Sequence, residues 1–333
     1  MTRRAVPPRS LLTRIATASS CFAQHVGRTL KKAGYNVLDL EPLPKALQGK
    51  VSAEVAQAQG YGLYSARYGN VYTIRQLLQL FQEALGQFTP AHPVWEKDGR
   101  FYDALRPGIE LRGFASPEEV MLHRAWHLKA VAEMMQQTDI MVFTFGLTEA
   151  WVSRGAEGTV YPTAPGTIAG RFDPELFEFK NFAYPEIVAD FIQVRQILRG
   201  FNPRLRFIVT VSPVPLTATA SGEHVEVATV YSKSVLRAAC GAISARFKAV
   251  DYFPSYEVIT SQSARGAYYE PNLRSVNSRG VETAMGLFMA AHDKTGAEKL
   301  RAKRVKAQAE PVESLEEEDG LICEEALLEA FNT

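Results

Sequence analysis

The run Thr17–Ala18–Ser19–Ser20–Cys21–Phe22–Ala23–Gln24–His25 gathers hydroxyl, thiol and imidazole groups where a short apolar stretch gives way to a helical pattern. A nucleophile gains from that position, because free N–H groups and the positive end of the helix dipole stabilise both a thiolate and the oxyanion of an acyl-transfer intermediate. His25 stands four residues beyond Cys21, on the same helical face, within reach as a base. The plainer alternative is a small-residue strand–helix turn around a buried cysteine. A second set is Gly146–Leu147–Thr148–Glu149. There Glu149 offers a carboxylate to move or orient a proton and Thr148 a hydroxyl to an oxyanion, unless the pair simply starts a helix with Thr148 as cap.

His123 and His127 stand four apart, a spacing that suits zinc, but no third ligand accompanies them; packed or surface histidines are expected and no metal. Tyr231–Ser232–Lys233–Ser234 sets a lysine on a helical pattern, where it could bind phosphate or lower the pKa of a thiol, against a solvated helix face.

These side chains need elements to hold them. Four short apolar stretches read as buried parallel strands: Arg14–Ala18, Ile140–Phe145, Leu205–Val211 and Ala249–Phe253. Helical patterns cover Phe22–Ala33, Thr73–Leu85, Pro117–Gln137, Pro185–Arg199, Val225–Phe247 and Ser278–Ala291, with Gly34 and Gly200 as stop signals. Strands alternating with long helices imply a doubly wound α/β sheet, with ligands outside the carboxyl ends of the strands. The turns near Ser20, Gly146, Ser212 and Pro254 are therefore expected to converge. Pro90–Phe114 reads as a β-hairpin insertion over the site, and Ser153–Phe182 as an irregular stretch that could also cover it.

At 333 residues and 46% hydrophobic content the chain can bury a sizeable core, and 37 Lys+Arg against 36 Asp+Glu speak against nucleic acid as a partner. Three scattered cysteines fit a reducing compartment, and Met1–Ser19 lacks the apolar run of a signal peptide or a membrane span, so a cytoplasmic protein is expected. The reading divides the chain into a tail over 1–9, a domain over 10–294 and a charged tail over 295–333. That last tail holds the basic run Lys299–Lys306, the acidic run Glu316–Asp319 and a short apolar helix pattern, Ile322–Phe331.

The segment SSCFAQHVGRTLKKAGYNVLDLEP resembles the opening signature of the GSCFA family, with Ser19 where that family usually has glycine. VFTFGLTEAW, Val142–Trp151, resembles its second signature, and FIVTVSPVPL, VYSKSVLRAA, VDYFPSYEVIT and NLRSVNSRGVE extend the similarity over roughly residues 10–292. The family is grouped with the SGNH hydrolases, so the resemblance implies a three-layer α/β/α, flavodoxin-like fold and ester chemistry at four blocks. Ser20 or Cys21 falls in the nucleophile block, Gly69 matches the glycine oxyanion donor with Asn70 beside it, and Gly146–Glu149 occupies the Gly-x-Asn-Asp block. The fourth block, Asp-x-x-His in SGNH enzymes, is Asn272–Leu273–Arg274–Ser275. Loss of its histidine favours Cys21, which ionises with less help, over Ser20, or favours a site without catalysis.

The resemblance thus implies an esterase or O-acyltransferase acting on a polar, carbohydrate-containing substrate, either a small molecule or a glycan, with acyl-CoA as the candidate donor and no other cofactor. Cys21 or Ser20 would carry or position the acyl group, and Glu149 with His25 or His127 would handle protons. Gly69, Asn70 and Thr148 would hold the oxyanion, and Gly146, Asn272, Ser275 and Lys233 complete the site. The rival is a catalytically retired SGNH fold that binds a glycan or protein in cell-envelope polysaccharide assembly.

Overall fold

The computed structural model describes residues 13–19, 21–155 and 158–292. Ser20, the 1–9 tail and the 295–333 tail with its charged runs and apolar helix pattern lie outside the described residues. The elements run β1 (Arg14–Ala18), α1 (Cys21–Lys32), β2 (Asn36–Val37), α2 (Ala53–Ala58), α3 (Ile74–Ala84), β3 (Val94–Lys97), β4 (Arg100–Asp103), α4 (Pro117–Gln137) and β5 (Ile140–Phe145). They continue with β6 (Glu149–Ser153), β7 (Val160–Tyr161), β8 (Phe177–Asn181), α5 (Tyr184–Phe201), β9 (Arg206–Val211), α6 (Val225–Arg246), β10 (Val250–Tyr252), α7 (Ser255–Thr260) and α8 (Ser278–His292).

Five strands form one parallel sheet in the order β10-β9-β5-β1-β2. Side chains alternate across a strand, so each apolar strand feeds two cores. Ile15, Ile140, Val142 and Ile208 pack with Phe22, Val26 and Leu30 of α1 and with Met285 and Phe288 of α8. On the other face Ala16, Met141, Phe143, Phe207 and Val209 meet α3, α4, α5 and α6 through residues such as Phe81, Met134, Phe191 and Leu236. This is the expected three-layer α/β/α fold.

The helix ends follow local chemistry. Thr73 and Ser116 cap α3 and α4 by accepting from Gln76 N–H (3.1 Å) and Glu119 N–H (3.2 Å). After α1, Gly34 takes φ +81° while Tyr35 N–H reaches back to the Leu30 carbonyl and Gly34 N–H to that of Lys31, the paired bonds of a Schellman stop. Gly200 does not stop α5, which runs on to Phe201 and is capped at Asn202, whose N–H bonds the Leu198 carbonyl.

The hairpin expected in Pro90–Phe114 is present as β3 and β4. The stretch Ser153–Phe182, read as irregular, instead supplies β7 and β8, which pair antiparallel on either side of β6. Trp95 of the hairpin is buried against Tyr161 and Ala169 and ties the two insertions together.

Candidate functional site

In the sheet order, β2 lies to one side of β1 and β5 to the other, so the winding reverses between β1 and β5, and crevices at such points are where open parallel sheets bind ligands. Ser19 directly follows β1, fully buried, with its Oγ donating to the Thr144 carbonyl of β5. Its own carbonyl accepts from Val71 N–H (3.1 Å), and the Tyr72 carbonyl accepts from Gly146 N–H (3.1 Å) and Leu147 N–H (3.0 Å). The segment Gly69–Tyr72 is thereby tied to both strand ends. Gly69 takes φ +65°, a backbone state that glycine adopts without a Cβ penalty. Asn70 is buried, and its Oδ1 accepts from the Tyr64 hydroxyl (3.0 Å), which in turn accepts from Gln24 Nε2 in the first turns of α1 (3.3 Å). That arrangement leaves Asn70 Nδ2 as a donor. Cys21 is the first residue of α1; its side chain, like all of Ser20, is outside what the structure describes.

His127 lies on α4, fully buried, with Nδ1 2.6 Å from Glu41 Oε2. Glu41 sits just beyond β2, accepts from Arg67 N–H (2.6 Å) and faces Arg106 at 3.8 Å. A carboxylate only accepts, so Nδ1 carries the proton and Nε2 the lone pair. Burial pushes the His127 pKa down to about 4 and Arg106 adds to it, Glu41 opposing in part. Burial works to raise Glu41, but the imidazole, Arg106 and the Arg67 amide outweigh it and hold the carboxyl at about 2. The pair is therefore carboxylate plus neutral imidazole at pH 7. His127 Nε2 has no hydrogen-bond partner among the described residues.

A cavity of about 20 Å³, room for one water, is lined by His127, Tyr68, Val71, Gln76, Arg106 and Arg124 among others. Tyr68 links it to β1: its hydroxyl donates to the Thr17 carbonyl and its ring meets His127 edge-on at 6.3 Å. Buried ion pairs brace the same wall. Asp103 accepts from Arg106 (2.7 Å) and Arg124 (3.0 Å), and Arg124 also pairs with Glu83. Despite full burial, these guanidinium groups hold the Asp103 carboxyl at about 2.

Thr148 starts no helix, since strand β6 begins at Glu149. The Thr148 N–H donates to Ser232 Oγ (3.0 Å), and its buried Oγ1 has no partner among the described residues. Glu149 is 8% exposed, accepts from Thr219 Oγ1 (2.9 Å), and burial raises its pKa. The carboxylate on His127 is Glu41 rather than Glu149. Lys233 is on no solvated face: it is 1% exposed, with Nζ on the Gly146 carbonyl at 2.8 Å. Ser232 and Lys233 of α6 together grip the Gly146–Thr148 turn. His25 is buried beside Phe22 at a ring separation of 6.0 Å. His123 contacts the Phe114 and Trp126 rings, and among the described residues no three His, Cys, Asp or Glu side chains gather as a metal group.

The remaining turns meet as expected. Ser212 N–H donates to the Phe145 carbonyl (2.9 Å) and Ser255 Oγ to that of Val211 (3.0 Å), linking the ends of β5, β9 and α7. Arg274 reaches Thr217 in the loop that also supplies Thr219 to Glu149. Asn272 and Ser275 bond mainly each other: Asn272 Oδ1 accepts from Arg274 and Ser275 N–H (2.9 and 3.0 Å), and its Nδ2 donates to Ser275 Oγ (3.1 Å).

Residues 14–288 match the model of the GSCFA family. The chain belongs to the GSCFA family. No curated protein matches it. The match runs from the first residue of β1 into α8, so every element that shapes the crevice of this GSCFA chain lies inside it. Among the described residues no helix is long and apolar enough to cross a membrane. Sequence reading of the GSCFA segment missed Glu41, Arg106 and Thr219. For Glu41 a signal was at hand, since Asp39–Leu40–Glu41–Pro42 puts carboxylates directly after a short β pattern.

Proposed function

We propose that this GSCFA protein is an SGNH-like esterase or O-acyltransferase whose nucleophile is Cys21 or Ser20 and whose base is the neutral His127 imidazole oriented by Glu41. The observation that carries the reading is the buried His127–Glu41 pair with its unpartnered Nε2. A carboxylate that fixes the tautomer and a nitrogen left to take a proton are the two parts an unactivated hydroxyl or thiol needs.

The nucleophile gives its proton to Nε2 and attacks the acyl carbonyl, and the tetrahedral oxyanion is met by Gly69 N–H, Asn70 Nδ2 and Thr148 Oγ1. Collapse expels the donor's alkoxide or thiolate, which takes the proton back from His127. Water or a sugar hydroxyl then repeats the sequence in reverse on the acyl-enzyme. Ser232 and Lys233 hold the Gly146–Thr148 turn in place, and Glu149 faces the acceptor. The substrate is a polar, carbohydrate-containing ester, acyl-CoA is the candidate donor, and residues 10–294 form the catalytic domain of a cytoplasmic protein.

Activity on a panel of acetylated sugars and acyl-CoA donors tests this. Either Cys21→Ala or Ser20→Ala, and also His127→Gln, is expected to lose at least about a hundredfold. If both nucleophile variants match wild type, the reading is wrong. The second reading, an inactive SGNH fold that binds a glycan or protein, draws on the Asn272–Ser275 turn, which satisfies itself and offers no base. It predicts binding without turnover in the same panel.

A further inference from the structure

Along β6 the side chains of Glu149, Trp151 and Ser153 share one face, while Val152 turns to the main core. Pairing with β8 sets Asn181 opposite Glu149 and Phe179 opposite Trp151, and directly opposed residues of an antiparallel pair share a face. Farther along that face Tyr161 and Phe177 are buried together with Trp95 of the hairpin. Nearer Glu149 the aromatic rings of the face reach solvent. Trp151 meets Phe172 edge-on at 5.0 Å and Phe179 at 6.0 Å; Phe172 is 42% exposed, and the other two rings are half-buried.

Three polar groups rim this aromatic shelf. Glu149 Oε1 is taken by Thr219, which leaves Oε2 without a partner among the described residues. Asn181 Oδ1 is buried with no partner among them, and the Trp151 indole N–H makes no hydrogen bond among them either. The shelf begins one residue from Thr148, so it adjoins the crevice.

We propose that this shelf is a sugar-binding subsite, with a pyranose ring lying over Trp151 and its hydroxyls on Glu149, Asn181 and the indole N–H. Electron-rich ring faces attract the polarised C–H groups that line one side of a pyranose. A purely apolar ligand would strip water from Glu149 Oε2 and the indole N–H and pair neither of them. A phosphate-bearing ligand would meet the Glu149 charge. The role of the shelf in catalysis rests on the esterase reading above; the binding itself does not.

Calorimetric titration with three unacylated disaccharides, cellobiose, maltose and N,N′-diacetylchitobiose, tests it, with tetramethylammonium as the rival ligand for an aromatic cage. At least one disaccharide is expected to bind, about tenfold or more weaker to Trp151→Ala and severalfold weaker to Phe172→Ala. Trp151→Phe should retain binding, and Trp126→Ala, on the exposed side of α4, should match wild type. Should Trp151→Ala fail to fold, Phe172→Ala decides, because that ring is already largely in solvent. Binding by none of the three sugars, equal binding by both alanine variants, or binding of tetramethylammonium instead overturns the proposal. A protein that binds the disaccharide yet turns over no ester keeps the shelf and loses the esterase reading; turnover without sugar binding does the reverse.

Discussion

A neutral imidazole can accept a proton and an imidazolium cannot, so the charge on His127 sets the pH range in which the site works. With its pKa held at about 4, kcat/KM is expected to stay level from neutrality down to about pH 4 and to fall below it. An acid limb near the ordinary histidine value of 6.5 would contradict that depressed pKa. The same shift bears on stability. The unfolded chain binds a proton that the folded chain excludes, so His127 costs stability as pH drops from 6.5 toward 4, which urea melts at pH 7 and pH 5 would register. Glu41→Gln keeps the shape but no longer fixes the tautomer, and a loss of about a hundredfold or more in kcat is expected from steady-state rates. Of this pair, His127 was legible only through family resemblance, because a lone histidine in a helical pattern is usually packing. Glu41 was not legible as its partner: the two are 86 positions apart, and only the docking of β2 beside β1 brings the carboxylate to α4.

At the scale of elements, α4 is tied to its surroundings by charge as well as by its apolar stripe. Arg124 is 2% exposed between Asp103 and Glu83. Arg124→Ala leaves the buried Glu83 carboxylate without its cation and Asp103 with Arg106 alone, and is expected to cost about 3–5 kcal/mol in urea denaturation. Arg154, about half exposed in its pair with Glu178, should cost less than about 1 kcal/mol on the same change. The long helices were readable because their signals are local: Ser116–Pro117 and Thr73 mark starts, and apolar residues recur at helical spacing. The β6–β7–β8 sheet was not. Its strands are five, two and five residues long, and the 153–177 pairing that registers β8 is a tertiary fact. Lys233 misled for a related reason, since a lysine on a helix is normally solvated, and a tertiary contact such as that with the Gly146 carbonyl is what makes its burial tolerable.

For the whole molecule, sheet order does most to define function. Winding outward in both directions from β1 and β5 brings Ser19, Gly69–Tyr72, Gly146–Glu149 and the loop after β9 to one edge. That convergence was readable from four apolar runs and the turns that follow them. β5 and β9 sit between other strands and under helices on both faces, so hydrogen exchange is expected to be slowest for Ile140–Phe145 and Arg206–Val211 and faster for the edge strand β2. Equal protection in β2 would contradict that order of stability. The central claim is that the β1–α1 turn supplies a nucleophile served by His127. Intact-mass and peptide mapping after a pulse of 4-nitrophenyl acetate tests it most directly. The account predicts one acetyl group on the peptide holding Ser20 and Cys21, absent from either Cys21→Ala or Ser20→Ala and formed far more slowly by His127→Gln; acetylation elsewhere, none at all, or equal rates in His127→Gln would contradict it.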